Sequence, residues 1–520
     1  MLRYLIWSVA TVLLITENGN SARILAMFPF PGRSHFISFA TLLEELSQRG
    51  HQLTVISAFP RKSPLENYKD VVITDYLSSL DMEEYITFDT PTVSHILMEM
   101  LQFRWMSVDF CDNFLNESSV QDIIQSGPNN YDLIIYEPFL SECAYGVVHK
   151  LNAPFMHISS NTISQWMGDG VGNPFTYSYI PDMVLGYTHH MSFKERLINT
   201  FVQTIFELDR NWITIPKMEA VVQKYFNDPT IPGILEIENN SSFLLLNSHI
   251  TFNYPRPLTP NTAEVGGMHI QEPKKLPQDL QKLLDEASDG VIYFSLGTNV
   301  KSTLLPERIR NNILKSLSKL KQKILWKWEN ETLPGKPANI YISKWFPQSD
   351  ILAHPNVKAF ITHGGLLSTE EATYYGKPLI AIPIAADQKQ NSLKVAAQGY
   401  AIVLNIANIT EGTLDWALHE ILTNDQYHNN AKRLSEIFRD QPQKPLERAV
   451  YWTEYVIRHK GAPHMRSAAL KLNIFQYYLL DVLAVIGVAT YVCIKLTVIT
   501  SKLVFRHFFF KRSVSKEKTN

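Results

Sequence analysis

Trp345 to Asn391 reads WFPQSDILAHPNVKAFITHGGLLSTEEATYYGKPLIAIPIAADQKQN, and the reading of this stretch decides the fold. Within it VKAFIT (Val357 to Thr362) is a short apolar, β-branched run, as expected of a parallel strand covered on both faces. His363-Gly364-Gly365 follows as its exit turn. Ser368, Thr369, Glu370 and Glu371 fit a helix start of the Ser-x-x-Glu type, and Gly376 ahead of Lys377-Pro378 fits its stop. A second strand, LIAIP (Leu379 to Pro383), leads into a loop carrying Asp387 and Gln388. Polar residues therefore gather at the carboxyl ends of successive strands, where open α/β sheets bind ligands.

The residue types suit a nucleotide. Trp345 offers a flat face to a base, amides at a helix start suit phosphate, and carboxylates and carboxamides suit a ring of hydroxyls. Each also has an ordinary reading. Glu371 at the third position of a capping box could merely hold a backbone amide, and Trp345 could be a core aromatic.

Upstream, VIYFSLGT (Val291 to Thr298) is another apolar strand running into Ser295, Gly297 and Thr298. The composition before it, around Tyr254 to Pro277, shifts to Pro, Asn, Thr and Gly, which marks a linker at 256–277 between domains at 23–255 and 278–473. The first of these domains opens as β-α-β: ILAMF (Ile24 to Phe28), an amphipathic helix from Phe36 to Arg49, and QLTVIS (Gln52 to Ser57). His35 stands in the turn after the first strand, where an imidazole can act as a base. A later strand, YDLIIYE (Tyr131 to Glu137), ends in a carboxylate. Two aromatic- and Met-rich segments, Ile86 to Phe114 and Ile163 to Trp212, hold few charges. They supply Phe103, Trp105, Trp166, Phe175 and Tyr179 as candidates for an apolar pocket, or else form plain core or membrane-resting helices.

The donor stretch closely resembles the signature of the UDP-glycosyltransferases, almost unbroken from Trp345 to Asn391. The resemblance implies Trp345 stacked on uracil, Gln348 near the nucleoside, and His363 with the Gly364-Gly365 amides on the pyrophosphate. Ser295, Gly297 and Thr298 would form a phosphate-contacting turn, Glu371 would hold ribose hydroxyls, and Asp387 with Gln388 the sugar. It also implies that His35, in the Ser34-His35 pair, is the general base, oriented by an acid that aligns with Glu137. Asp132 and Asp112 remain alternatives for that acid. The chain departs from the pattern at Leu366-Leu367-Ser368, where many members carry Ser-Asn-Gly, so a polar side chain is missing at Leu367.

The resemblance further implies a GT-B fold, two Rossmann-like α/β domains facing a central cleft. The expected reaction is inverting transfer of a hexose from a UDP-sugar to a hydroxyl of a small lipophilic acceptor such as a phenol. UDP-glucose is favoured because no cationic clamp for a uronate is evident near Asp387-Gln388, with UDP-glucuronate second. A catalytically silent UDP-sugar-binding or hydrophobic-ligand-binding membrane protein is the rival reading. No D-x-D motif occurs, so neither a metal nor a cofactor is expected.

The 520 residues carry a net charge of -2, which argues against a nucleic-acid partner. Residues 1–22 read as a signal peptide, and sequons at Asn116, Asn239, Asn240, Asn330 and Asn408 fit a lumenal body. Of three cysteines, Cys493 lies in an apolar run, leaving Cys111 and Cys143 free to pair without making a disulfide scaffold. A membrane helix is expected at 474–500, followed by a basic cytosolic tail at 501–520 whose Lys516 and Lys518 resemble a dilysine retrieval signal. The expected location is the endoplasmic reticulum membrane, single-pass type I. A homodimer is compatible with the sequence and not required by it.

Overall fold

The computed structural model describes residues 21–78, 88, 92–298 and 300–517; the signal-peptide reading falls almost wholly outside them. Contacts divide the chain into two compact units, Met1–Arg466 and Ser467–Asn520.

The first unit holds two parallel sheets. One is built from β1 (Arg23–Met27), β2 (Gln52–Ser57), β3 (Tyr68–Val72), β4 (Leu133–Tyr136), β5 (Phe155–Ser159), β6 (Leu244–Leu246) and β7 (Thr262–Glu264), in the order β3-β2-β1-β4-β5-β6-β7. The other comprises β8 (Val291–Ser295), β9 (Lys323–Lys327), β10 (Ile340–Ser343), β11 (Val357–Thr362), β12 (Leu379–Ala381) and β13 (Ala401–Val403), in the order β10-β9-β8-β11-β12-β13. Strands such as β4 are buried along their whole length, which explains their continuous apolar runs. In each sheet the order reverses once. Met27 of β1 pairs with Tyr136 of β4, and Ser295 of β8 with Thr362 of β11, so the two reversal points lie at the exits of these four strands.

Domain limits differ from the expected ones in two places. Strand β7 lies within the expected linker yet completes the first sheet. The helix Pro445–Arg458, expected in the second domain, returns to the first: Ala449, Val450 and Val456 join the core formed by Ile24, Ala26 and Leu133, and Trp452 stacks on Phe243 at 4.7 Å. Its apolar face finds a partner there, and that burial outweighs chain proximity.

Helix starts also differ. Helix α1 (Arg33–Gln48) begins three residues before the expected Phe36, capped by Gly32, so His35 sits in its first turn rather than in the loop. Helix α2 (Val93–Asn116) carries most of the first aromatic-rich segment, and helix α3 (Phe193–Asp209) about the last third of the second. On α3, Phe193, Leu197 and Phe201 face outward, exposed by 60% or more, so only part of this apolar composition reaches a pocket. Cys111 on α2 is disulfide-bonded to Cys143, which ties that helix to the segment after β4.

Helix α4 (Leu366–Tyr374) corrects the capping-box reading. Gly365 is its N-cap and contributes no side-chain bond, which puts Ser368 at the third helical position and Glu371 in mid-helix. Gly376, at φ +64°, does end it as expected. Helix α5 (Gln388–Ala397) follows the Asp387 loop.

The second unit contains helix α6 (Leu480–Glu517), whose segment Leu480–Phe509 is long and apolar enough to cross a membrane. Helix continues past Ile499 through Lys502 and Arg506, beyond the boundary expected from the basic residues, because Lys and Arg are good helix formers.

Candidate active site

Both reversal points gather functional side chains. At the first, Glu137 follows β4 directly and is fully buried; its Oε1 lies 2.6 Å from Nδ1 of His35. The other candidates for this role are engaged elsewhere: Asp132 pairs with Arg23, and Asp112 with Lys224. Ser160, just after β5, sets its Oγ 2.8 Å from the same imidazole nitrogen, a contact that sequence reasoning missed. A neutral His35 that donates from Nδ1 to Glu137 would present Nε2 as an acceptor. Phe30 and Phe139 wall the ring, with centroids 5.1 and 4.6 Å from it. A loop-spaced Phe gives no sequence signal of this kind.

At the second reversal point backbone groups predominate. His363 follows β11 and lies in a slot between two glycines. A Cβ on Gly297 would come within 2.5 Å of the ring and one on Gly365 within 2.7 Å. Gly297 and Gly364 also hold φ at +84° and +82°, which other residues adopt only under strain. Ser295 accepts from the Gly297 amide through its Oγ at 3.2 Å, closing the turn that Thr298 continues. Burial, followed by the charge of Lys327, pushes His363 down to about 4, so it is a neutral hydrogen-bonding group near pH 7. Lys327 itself, at the end of β9, donates to the Gly297 carbonyl at 2.8 Å. Leu366 and Leu367 open α4, so their backbone amides stay at a helix start despite the missing side-chain polarity.

Around this slot lie the other residues expected to hold a donor. Trp345 is 67% exposed, so it is not a core aromatic and its face is free for a planar partner. Gln348 donates through Nε2 to Glu371 Oε2 at 2.6 Å and to Ser368 Oγ at 3.0 Å. Glu371 therefore faces Gln348 rather than capping its own helix. Burial raises it to about 7, against the pull of Gln348. Gln388 is turned inward: its carbonyl oxygen accepts from the Ile384 and Ala385 amides, leaving its NH2 group available. Asp387 accepts from Asn391 at 2.6 Å and is held above the usual carboxylate range by burial. The residue before it, Ala386, is in the left-handed region at φ +53°, a strained position of the sort found where a loop presents a functional group.

The two halves meet. His35 is close enough to Asp387 for its charge to act on that carboxyl. Lys389 packs its stem over Gly186 of the first domain, where a Cβ would come within 2.6 Å. Beside His35 opens a cavity of about 150 Å³, lined by Phe139, Trp166, Phe175, Ile180, Gln390 and Lys394 among others. Two of the five residues expected in an apolar pocket, Trp166 and Phe175, thus line it. Phe103 packs behind the wall against Phe30, 6.2 Å between centroids. Trp105 and Tyr179 lie off the lining; the Trp105 indole donates to Asp209 at 2.8 Å, which turns it away. The lining also holds charged groups that no sequence pattern singled out, including Arg104, Arg210, Arg256 and Lys394.

A family model described as UDP-glucoronosyl and UDP-glucosyl transferase matches residues 24–519. UDP-glycosyltransferase UGT5 of Dactylopius coccus is 38% identical over 89% of this chain and 88% of its own length. UDP-glucuronosyltransferase 2C1 of Oryctolagus cuniculus is 34% identical over 86% of this chain and 92% of its own. Among solved structures, the glycosyltransferase VinC in complex with DTDP superposes with a TM-score of 0.57 at 15% identity, covering 84% of this chain and all of VinC.

Proposed function

The chain belongs to the UDP-glucuronosyl and UDP-glucosyl transferase family and has its GT-B fold; on that premise we propose that it transfers glucose from UDP-glucose to a hydroxyl of a small lipophilic acceptor, with inversion. The observation that carries this reading is the His35–Glu137 pair at 2.6 Å, set within electrostatic reach of Asp387.

In the proposed step, His35 Nε2 takes the proton of the acceptor hydroxyl while Glu137 stabilises the resulting imidazolium. The acceptor oxygen forms its bond to the anomeric carbon as the bond to UDP breaks, and the electron pair leaves with the diphosphate. Amides at the start of α4, the Gly364-Gly365 turn and a neutral His363 donating an N–H would stabilise the charge that develops there. Trp345 would stack on the base, Glu371 accept from ribose hydroxyls, and Asp387 with the Gln388 NH2 group hold the sugar.

UDP-glucuronate is the second reading. A specific observation favours it: Lys394, invisible as a clamp in the sequence, is near enough to Asp387 for the two charges to interact. The lumenal face of the endoplasmic reticulum is the proposed location, with α6 as a type I anchor; the Cys111–Cys143 disulfide fits an oxidising compartment.

The test is a microsomal assay offering UDP-glucose and UDP-glucuronate against a panel of phenols, with His35→Ala alongside. Consumption of UDP-glucose that His35→Ala abolishes supports the proposal. UDP binding without turnover of either donor would identify a silent binding protein instead.

A further inference from the structure

One wall of the cavity carries polar groups that the protein leaves unmatched. Gln390 and Lys394 stand one turn apart on α5 and are almost fully buried, 2% and 5% exposed. Gln390 Oε1 has no hydrogen-bond partner among the described residues. The Lys394 ammonium lies 5.5 Å above the Tyr254 ring, a contact that does not saturate its three donors. Facing them from the first domain, Arg256 donates to the carbonyl of Ile163 and to Asn253 Oδ1, but its Nε is buried without a partner. All three residues line the cavity. Buried, unmatched polar atoms of this kind are costly unless a ligand completes them.

The carboxylates on the same cavity are in a different state. Glu142 is bound to Arg210, and Glu207 receives the Gln165 amide and the Tyr177 hydroxyl. Asp182 accepts from the Val184 amide and feels Arg104, and burial raises Asp169 to about 7. On the acidic side Glu142 Oε2 also lacks a partner, but that carboxylate already has Arg210 as its counter-charge, whereas neither Arg256 nor Lys394 makes a salt bridge among the described residues. Burial, reinforced by Arg256 and opposed by Asp387, also lowers Lys394 to about 7; an anion beside it would restore its charge.

We propose that Arg256 and Lys394 form an anion subsite for the acceptor, with Gln390 Oε1 as a hydrogen-bond acceptor beside it, so that the preferred acceptors are planar, apolar molecules bearing a carboxylate as well as the reacting hydroxyl. The proposal rests on the transferase reading above. The acceptor is chosen over a sugar carboxylate because the three groups share their cavity with Trp166, Phe175 and Ile180, an apolar lining that suits an aromatic body rather than a sugar. Gln390 can take its hydrogen bond from a second hydroxyl of the same molecule.

The experiment uses the full chain in detergent micelles and two isosteric probes, 4-hydroxybenzoate and 4-hydroxybenzamide. The readout is the ratio of their kcat/KM values within each variant, which cancels general damage. Wild type is expected to favour the carboxylate, Lys394→Met to lower that ratio by about tenfold, and Lys394→Arg to restore part of it. An unchanged ratio in Lys394→Met overturns the proposal. So does a Lys394→Met protein whose UDP-glucuronate to UDP-glucose ratio collapses while the acceptor ratio holds, since the cations then read the donor. If neither donor is turned over, the transferase reading fails separately. Equilibrium titration of the two probes in the presence of UDP then decides the subsite: tighter binding of the benzoate that Lys394→Met removes supports it, and equal binding overturns it.

Discussion

The exits of β1 and β4 and the exits of β8 and β11 are the same topological position in two parallel sheets, yet they are furnished in opposite ways. The first holds a partly buried imidazole paired with a fully buried carboxylate and walled by phenylalanines. The second holds glycines, helix-start amides and a histidine kept neutral by burial. The contrast follows from the charge each half would handle. A proton acceptor needs one side chain of defined tautomer, while a diphosphate is matched by many fixed dipoles that require no reorganisation. The topology supplies the place and the loops supply the chemistry.

If that division holds, damage to the first half should leave nucleotide binding intact, and damage to the second should not. The largest expected effect is His35→Ala: kcat falls by about 10³-fold, within the range for loss of a general base, while UDP affinity measured by calorimetry stays within about twofold. A parallel loss of UDP affinity would break the separation. Glu137→Gln should cost about 10²-fold in kcat, again without weakening UDP, because the amide no longer stabilises the imidazolium. Near wild-type rates in this variant would make Ser160 the effective partner of His35.

In the second half, Trp345→Ala should weaken UDP by about 10- to 100-fold, the usual range for losing one base–aromatic stack, with the melting temperature unchanged because the ring is exposed. Gly297→Ala should weaken UDP and also destabilise the fold by about 1–2 kcal/mol, since the new Cβ meets the His363 ring and φ is in the left-handed region. Full UDP affinity in Gly297→Ala would show that the slot is not a phosphate seat.

The same contrast explains what could be read from the sequence. The second half is nearly contiguous from Trp345 to Asn391, so strand, turn and helix signals arrive in order with their polar residues between them. The first half is assembled from distant segments: His35, Glu137 and Ser160 come from the exits of β1, β4 and β5. The pairing of His35 with Glu137 is implied by the family resemblance alone, which leaves Asp132 and Asp112 open; the apolar strands before each residue place the two at strand exits without pairing them. Ser160 and Phe139 carry no such mark. Arg256, Gln390 and Lys394 were beyond reach for another reason: their importance lies in hydrogen bonds they fail to make, which is a property of packing rather than of pattern. The helix starts went wrong where glycine, not Ser or Thr, is the cap, as Gly32 and Gly365 show.

The smallest expected effect is also the one that joins stability to function. Glu371 is raised by burial to about 7, above the ordinary value of 4.5 that an unfolded chain would show. Between these two values the folded protein holds a proton that the unfolded chain has released, so this group's contribution to stability declines as pH rises through that window. Ligand binding should run the other way. A ribose hydroxyl donates best to the ionised carboxylate, so UDP affinity should strengthen several-fold between about pH 6 and pH 8. Glu371→Gln, which keeps the shape and loses the titration, should flatten both profiles while Gln348 stays in reach of an acceptor. A wild-type UDP affinity that is level across this range would mean that Glu371 holds Gln348 rather than ribose, and that the donor half, like the acceptor half, contains a buried carboxylate whose partner is protein.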